Sequence, residues 1–181
     1  MFSKGTAVLF TFIILHIYVF STAGQDAQSA SKIKIGTYNS RCVALAWGRS
    51  KEQLGELNKL YAECKKAKDA NDKNYQKLKD ELMIKNQQMH LQVFSNARID
   101  NIIEEIRPRL GEIAKNAGVV MIVEEPVYKN AEADIELVDV TMLMANEFKP
   151  DEKTLEMIKN LPKSKPLSFE KAMKLIAEDK L

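Results

Sequence analysis

The chain of 181 residues contains only 7 glycines and 5 prolines. Between Trp47 and Arg107 it has no proline and just Gly48 and Gly55. That scarcity argues against a nucleotide enzyme built on glycine-rich loops and against a large β-sandwich with its many tight turns. Two cysteines are too few for a disulfide-built scaffold, and two histidines, His16 and His90, are too few for a histidine-based metal site. Neither sign of charge dominates: 27 Lys+Arg against 25 Asp+Glu leave a net charge of +2. A polyanion-binding face would have to come from local clustering, so nucleic acid is not an expected partner. Catalytic constellations are scarce as well. Glu104 and Glu105, and Glu124 and Glu125, are adjacent pairs whose side chains diverge, and the histidines supply no Ser/His/Asp or Cys/His set. The sequence therefore predicts no enzyme, no catalytic residue, no cofactor and no metal site.

What is present starts with a leader. Lys4 precedes an apolar run over residues 7–20, and Ser21, Thr22, Ala23 and Gly24 follow. A positive start, an apolar middle and small residues at the end form the pattern of a secretory signal peptide. The run is short for a bilayer span. Residues 1–24 are expected to be cleaved off and residues 25–31 to form a polar, disordered start to an exported chain.

Residues 32–38 alternate, with Ile33 and Ile35 on one side and Lys34 on the other, which predicts a half-buried strand. A heptad pattern then runs from Leu54 to Ala117. One series carries Leu54, Tyr61, Tyr75, Leu82, Met89, Ile103 and Leu110, and the other Leu57, Cys64, Leu78, Ile99, Ile106 and Ile113. Lys68, Asn71, Lys85, Gln92 and Asn96 interrupt it near its middle. Such a sustained pattern predicts a coiled coil. As a single helix it would be about 100 Å long, so an αα-hairpin of two arms is expected. Symmetry favours a tip at residues 84–88, while residues 69–74 have the better turn chemistry. Pro108 predicts a kink or a join, and Gly118 a left-handed helix end.

After Gly118 the run 119–123 reads as a central strand, with brief extended stretches at 127–128 and 135–138 and a turn between them. Helices are expected over 142–148, from Pro150 to about Asn160, and over 169–179. Asp139 or Thr141 would cap the first and Ser168 the last. The division is thus a body in two parts, residues 32–47 and 118–160, an arm over 48–117 and an extension over 161–181. Cys42 and Cys64 are open to a disulfide in an oxidising compartment, with a buried free Cys64 favoured.

The helix end at 113–118, the strand at 119–123, and Val138, Asp139, Val140 and Thr141 at a helix start resemble the OmpH/Skp family of periplasmic chaperones. The resemblance spans about residues 32–160. It implies an α+β fold in which a small β-sheet body trimerises and long α-helical coiled-coil hairpin arms hang from it. It implies a periplasmic, ATP-independent holdase whose homotrimer binds unfolded outer-membrane proteins between the arms, with possible contact to anionic lipid. An envelope tether or dedicated adaptor is the alternative. Tyr61, Tyr75, Met83, Met89, Leu91, Val93 and Phe94 would then be candidate client contacts, some of them equally able to pack the hairpin. Ile33, Ile35, Val119, Met121, Ile122, Val123 and Leu143 would form the trimer body core. Lys65, Lys66, Lys68, Lys73, Lys77 and Lys79 make the arm locally basic, although Glu63, Asp69, Asp72, Asp80 and Glu81 offset much of that charge.

Overall fold

The alternation of residues 32–38 produces the central strand of the structure. A computed structural model describes residues 32–124, 130 and 133–178. In it β1 (Ile33–Tyr38) lies between β2 (Met121–Glu124) and β3 (Ile135–Asp139), and both neighbours run parallel to it. Gly36 faces Ile122 on one side and Val138 on the other. A Cβ at Gly36 would stand 3.1 Å from Val119 Cγ2 and 3.2 Å from Ile122 Cγ1, so glycine lets β2 come close. The expected centrality of 119–123 is corrected here. Its continuous apolar run reads as two-sided burial, yet β2 is an edge strand and only Ile122 joins the core.

From β1 the chain enters α1 (Ser40–Gly48), whose N-cap Asn39 accepts a hydrogen bond from the Cys42 amide. Every residue of α1 is buried. Its small residues permit this: Met89 packs directly over Gly48, where a Cβ would meet its Sδ at 2.9 Å. Polar side chains at the helix edges find partners. Trp47 donates to Glu105 at 2.9 Å and Arg49 to Thr154 at 3.2 Å.

The expected long arm is not formed. The heptad region divides into α2 (Lys51–Asp69), α3 (Tyr75–Phe94) and α4 (Asp100–Ala117). The first break has the turn chemistry of residues 69–74. Asn71 adopts a left-handed φ of 54°, and Asp72 Oδ1 accepts from the Asn74 amide at 2.7 Å. The second break is held by Gln92, whose side-chain amide donates to Arg98 O at 2.9 Å and Asn101 Oδ1 at 2.7 Å. The predicted tip at 84–88 lies inside α3 instead. At 1.5 Å per residue the α2–α3 hairpin is about 30 Å long. It does not hang free, because α3 packs against α1 and against α7 (Phe169–Ala177).

The heptad phase also differs from expectation. On α2 the buried residues are Gln53, Leu60, Cys64 and Ala67, while Leu54 and Tyr61 are exposed. On α4 the expected stripe packs inward through Ile102, Ile106 and Ile113. Pro108 sits on the exposed side and the helix continues through it, ending at Gly118 with φ 66°. The fold is therefore a mixed α+β domain with a small open parallel sheet and seven short to medium helices among the described residues. It is not a small body carrying a long coiled-coil hairpin.

The remaining helices close the core. They are α5 (Thr141–Asn146), α6 (Glu152–Asn160), followed by a 3-10 turn (Leu161–Lys163), and α7. Asp151 and Ser168 cap α6 and α7, accepting from the amides of Thr154 and Lys171. Asp139 accepts from the Thr141 amide at 2.8 Å, an Asx turn that leads β3 into α5. Val43, Ile102, Val140, Met144, Ala145 and Ile158 lie at the centre. The leader and the stretch at 127–128 fall outside the described residues.

Candidate functional site

Two places in this fold stand out among the described residues. The first is the sheet's outer face. Side chains at equal register on parallel strands share a face. Gly36, Ile122 and Val138 therefore point together, and Tyr38, Ile122 and Val138 pack on the core. Ile33, Ile35, Met121, Val123, Ile135 and Leu137 point the other way, and none of them belongs to the core. Ile33 is 55% exposed, Met121 50%, Leu137 37% and Val123 36%. Strand periodicity makes this face visible from the sequence, since the alternation of Ile33 and Ile35 was already read there.

The second is a cleft of about 390 Å³ at the carboxyl ends of β1 and β3, where the chain turns into α1 and α5. Thr37, Tyr38, Asn39, Asp139 and Thr141 line its sheet side. Met142, Ile158, Lys159, Pro162 and the buried Cys42 complete it. The two strand ends are tied together. Asn39 N donates to Thr141 Oγ1 at 3.0 Å and Val140 N to Thr37 O at 2.8 Å. Cys42 Sγ donates to Ile158 O at 3.5 Å, which anchors α1 to α6. Tyr38 is half-buried, and burial, then the nearby Glu124 and Asp100 carboxylates, push its phenol above the usual tyrosine value. Only the Asp139 and Thr141 part of this constellation was singled out in the sequence, and as a cap. Tyr38 lies in the predicted strand 32–38 and Lys159 in the predicted helix ending near Asn160, but nothing in either segment marks a cleft.

The sequence-predicted site residues scatter. Of the candidate client contacts, Tyr61 and Met83 are exposed on the hairpin, and Tyr75, Met89 and Leu91 are half-buried. Val93 is core, and Phe94 stacks on His90 with ring centroids 5.9 Å apart. Among the described residues they enclose no space between long arms, so the client-binding cavity expected of a holdase is not formed there. The body-core set is split. Ile33, Ile35, Met121 and Val123 lie on the outer face, Ile122 faces inward, Val119 is buried before β2, and Leu143 is 39% exposed on α5. Cys42 and Cys64 are both buried and form no disulfide with each other.

Among the described residues no group of three or more His, Cys, Asp or Glu is placed to hold a metal ion. No described helix is long and apolar enough to cross a membrane. No protein-family model, curated protein or solved structure matches the chain.

Proposed function

We propose that this protein is a self-associating module whose copies join through the outer face of the sheet. The observation that supports this is a parallel sheet with one face left uncovered by the described residues. Parallel strands are found almost only where both faces are covered, and here the helices cover one. The exposed part of Ile33, Met121, Val123 and Leu137 amounts to an apolar patch of about 300 Å², within the range of the largest patches on monomers, which are often functional. The six side chains at its centre carry no charge that would select a partner of opposite sign. A second copy, brought up around a two-fold axis, offers the same apolar patch in return. The leader pattern of residues 1–24 supports an exported location for the assembly.

The test is the solution mass of the protein recovered from cells expressing the full chain, measured by sedimentation equilibrium. A multiple of the chain mass is expected. Met121→Glu combined with Leu137→Lys is expected to reduce it to one chain, whereas Tyr61→Glu on the hairpin leaves it unchanged. A single-chain mass for the unaltered protein at all concentrations tested would reject self-association.

A further inference from the structure

We propose that Met121 is a redox-sensitive contact: oxidation of its thioether to the sulfoxide, by an oxidant of the peroxide class, keeps two copies of this chain apart. This rests on association through the outer face of the sheet. Met121 stands in register with Ile35 on β1, and Ile35 with Leu137 on β3. Side chains in register on parallel strands share a face, so these three form a row across all three strands. Ile33 and Ile135 lie to one side of that row and Val123 to the other. Among the described residues three methionines stand more than a third exposed: Met83 at 49%, Met121 at 50% and Met157 at 37%. Met144 is fully buried, and Met89 and Met142 pack against the core. Of the three exposed, only Met121 lies on the sheet, since Met83 belongs to α3 and Met157 to α6.

The chemistry is a single oxygen transfer. The Met121 sulfur attacks one peroxide oxygen, an S–O bond forms and the O–O bond breaks. The proton of the transferred oxygen passes to the departing one, which leaves as water; the sulfur is oxidised and the peroxide reduced. An apolar side chain thereby becomes a polar one. The side chains of Ile35, Leu137 and Val123 carry no hydrogen-bond donor, so a sulfoxide oxygen enclosed among them by a second copy would lose its water without gaining a partner. The oxidant reaches the sulfur in the unpaired chain, and pairing shields it. Each oxidised chain is withdrawn from pairing, which draws the equilibrium toward single chains.

The test treats the protein recovered from cells expressing the full chain with hydrogen peroxide over a range of protein concentrations. Peptide mass spectrometry reads the sulfoxide at each methionine, and sedimentation equilibrium reads the mass. Met121 sulfoxide is expected to form more slowly as protein concentration rises, while the rate at Met83 stays constant. The oxidised protein should associate about tenfold or more weakly than the untreated, and methionine sulfoxide reductase should restore the assembly. The response to peroxide should vanish in Met121→Leu, compared with its own untreated sample, and persist when Met83 and Met157 are both replaced by leucine. A single-chain mass before treatment would reject self-association and this role of Met121 with it. An assembly that survives full oxidation of Met121, or a response that persists in Met121→Leu, would overturn the role of Met121 alone and leave the outer-face reading standing.

Discussion

Arg41 reaches from the buried helix α1 to the carbonyl oxygen of Ser164, donating from Nη1 at 2.9 Å. Its Nε donates to Val93 O at 2.9 Å and its Nη2 to Ser164 Oγ at 3.3 Å. Residue 41 is 6% exposed, and no carboxylate pairs with it among the described residues. Burial pushes the guanidinium below its usual value. One side chain thereby binds three parts of the chain: α1, the end of α3, and the segment between the 3-10 turn and α7. Leu167 N donates to Phe94 O at 2.8 Å beside it, so the C-terminal segment is fastened twice to the same helix end.

Replacing Arg41 by Met keeps the stem and removes all three hydrogen bonds. Hydrogen bonds to charged donors are worth more than neutral ones, and the carbonyls left behind are partly buried. Arg41→Met is expected to cost about 2–4 kcal/mol in urea unfolding. Tryptic cleavage after Lys163 should accelerate more than cleavage within α2. Unchanged stability together with unchanged cleavage would show that Arg41 fastens nothing.

Tyr38 predicts a loss of stability at alkaline pH. Its folded value lies above the ordinary tyrosine value of 10.0, because burial first and Glu124 next disfavour the phenolate. A group with a raised folded value holds its proton more tightly when folded. Its contribution is complete below pH 10.0 and is lost as pH rises through the folded value. Unfolding measured across that interval should show a steeper decline in the parent than in Tyr38→Phe. Parallel declines would contradict the assignment.

The corrected helix phase separates two apolar residues that a continuous seam would treat alike. Ile102 is fully buried and Leu54 is 45% exposed. Ile102→Ala is expected to cost about 3–4 kcal/mol, and Leu54→Ala to stay within about 0.5 kcal/mol. Comparable losses in denaturant titrations would restore the continuous seam.

Asn71 carries the positive φ of the hairpin turn. Asparagine tolerates that conformation and a β-branched residue does not. Asn71→Val should lower stability by about 1–2 kcal/mol, whereas Asn71→Gly should leave it equal or slightly higher. The pair of thermal midpoints decides whether the turn lies here. If Val and Gly behave alike, the helix runs on through residue 71.

Much of the local structure could be read from neighbouring residues. Gly118 ends α4, Ser168 caps α7, and the isoleucine stripe of α4 faces inward, because each depends on contacts within a turn or two; Asp151, expected inside the first turn of α6, is its cap instead. The alternation of Ile33 and Ile35 likewise placed β1. Other features gave misleading local signals. On α2 the series through Leu57 and Cys64 does point inward, but its second row is Gln53, Leu60 and Ala67 rather than Leu54 and Tyr61. Gln92, polar and 1% exposed, breaks the run by bonding forward to Arg98 and Asn101. α1 shows no amphipathic rhythm, since a helix covered on all sides has no solvent face to mark.

The sequence by itself determined where helices and strands start and stop over much of the chain, because caps, turns and periodicity act through residues close in the chain. Only the tertiary structure decided that the heptad region folds back onto the body, that the described residues leave one face of the sheet open, and that Tyr38, Asp139 and Lys159 share a cleft. Those outcomes depend on packing between segments tens of residues apart or more, and no local pattern records which surface a distant helix will cover.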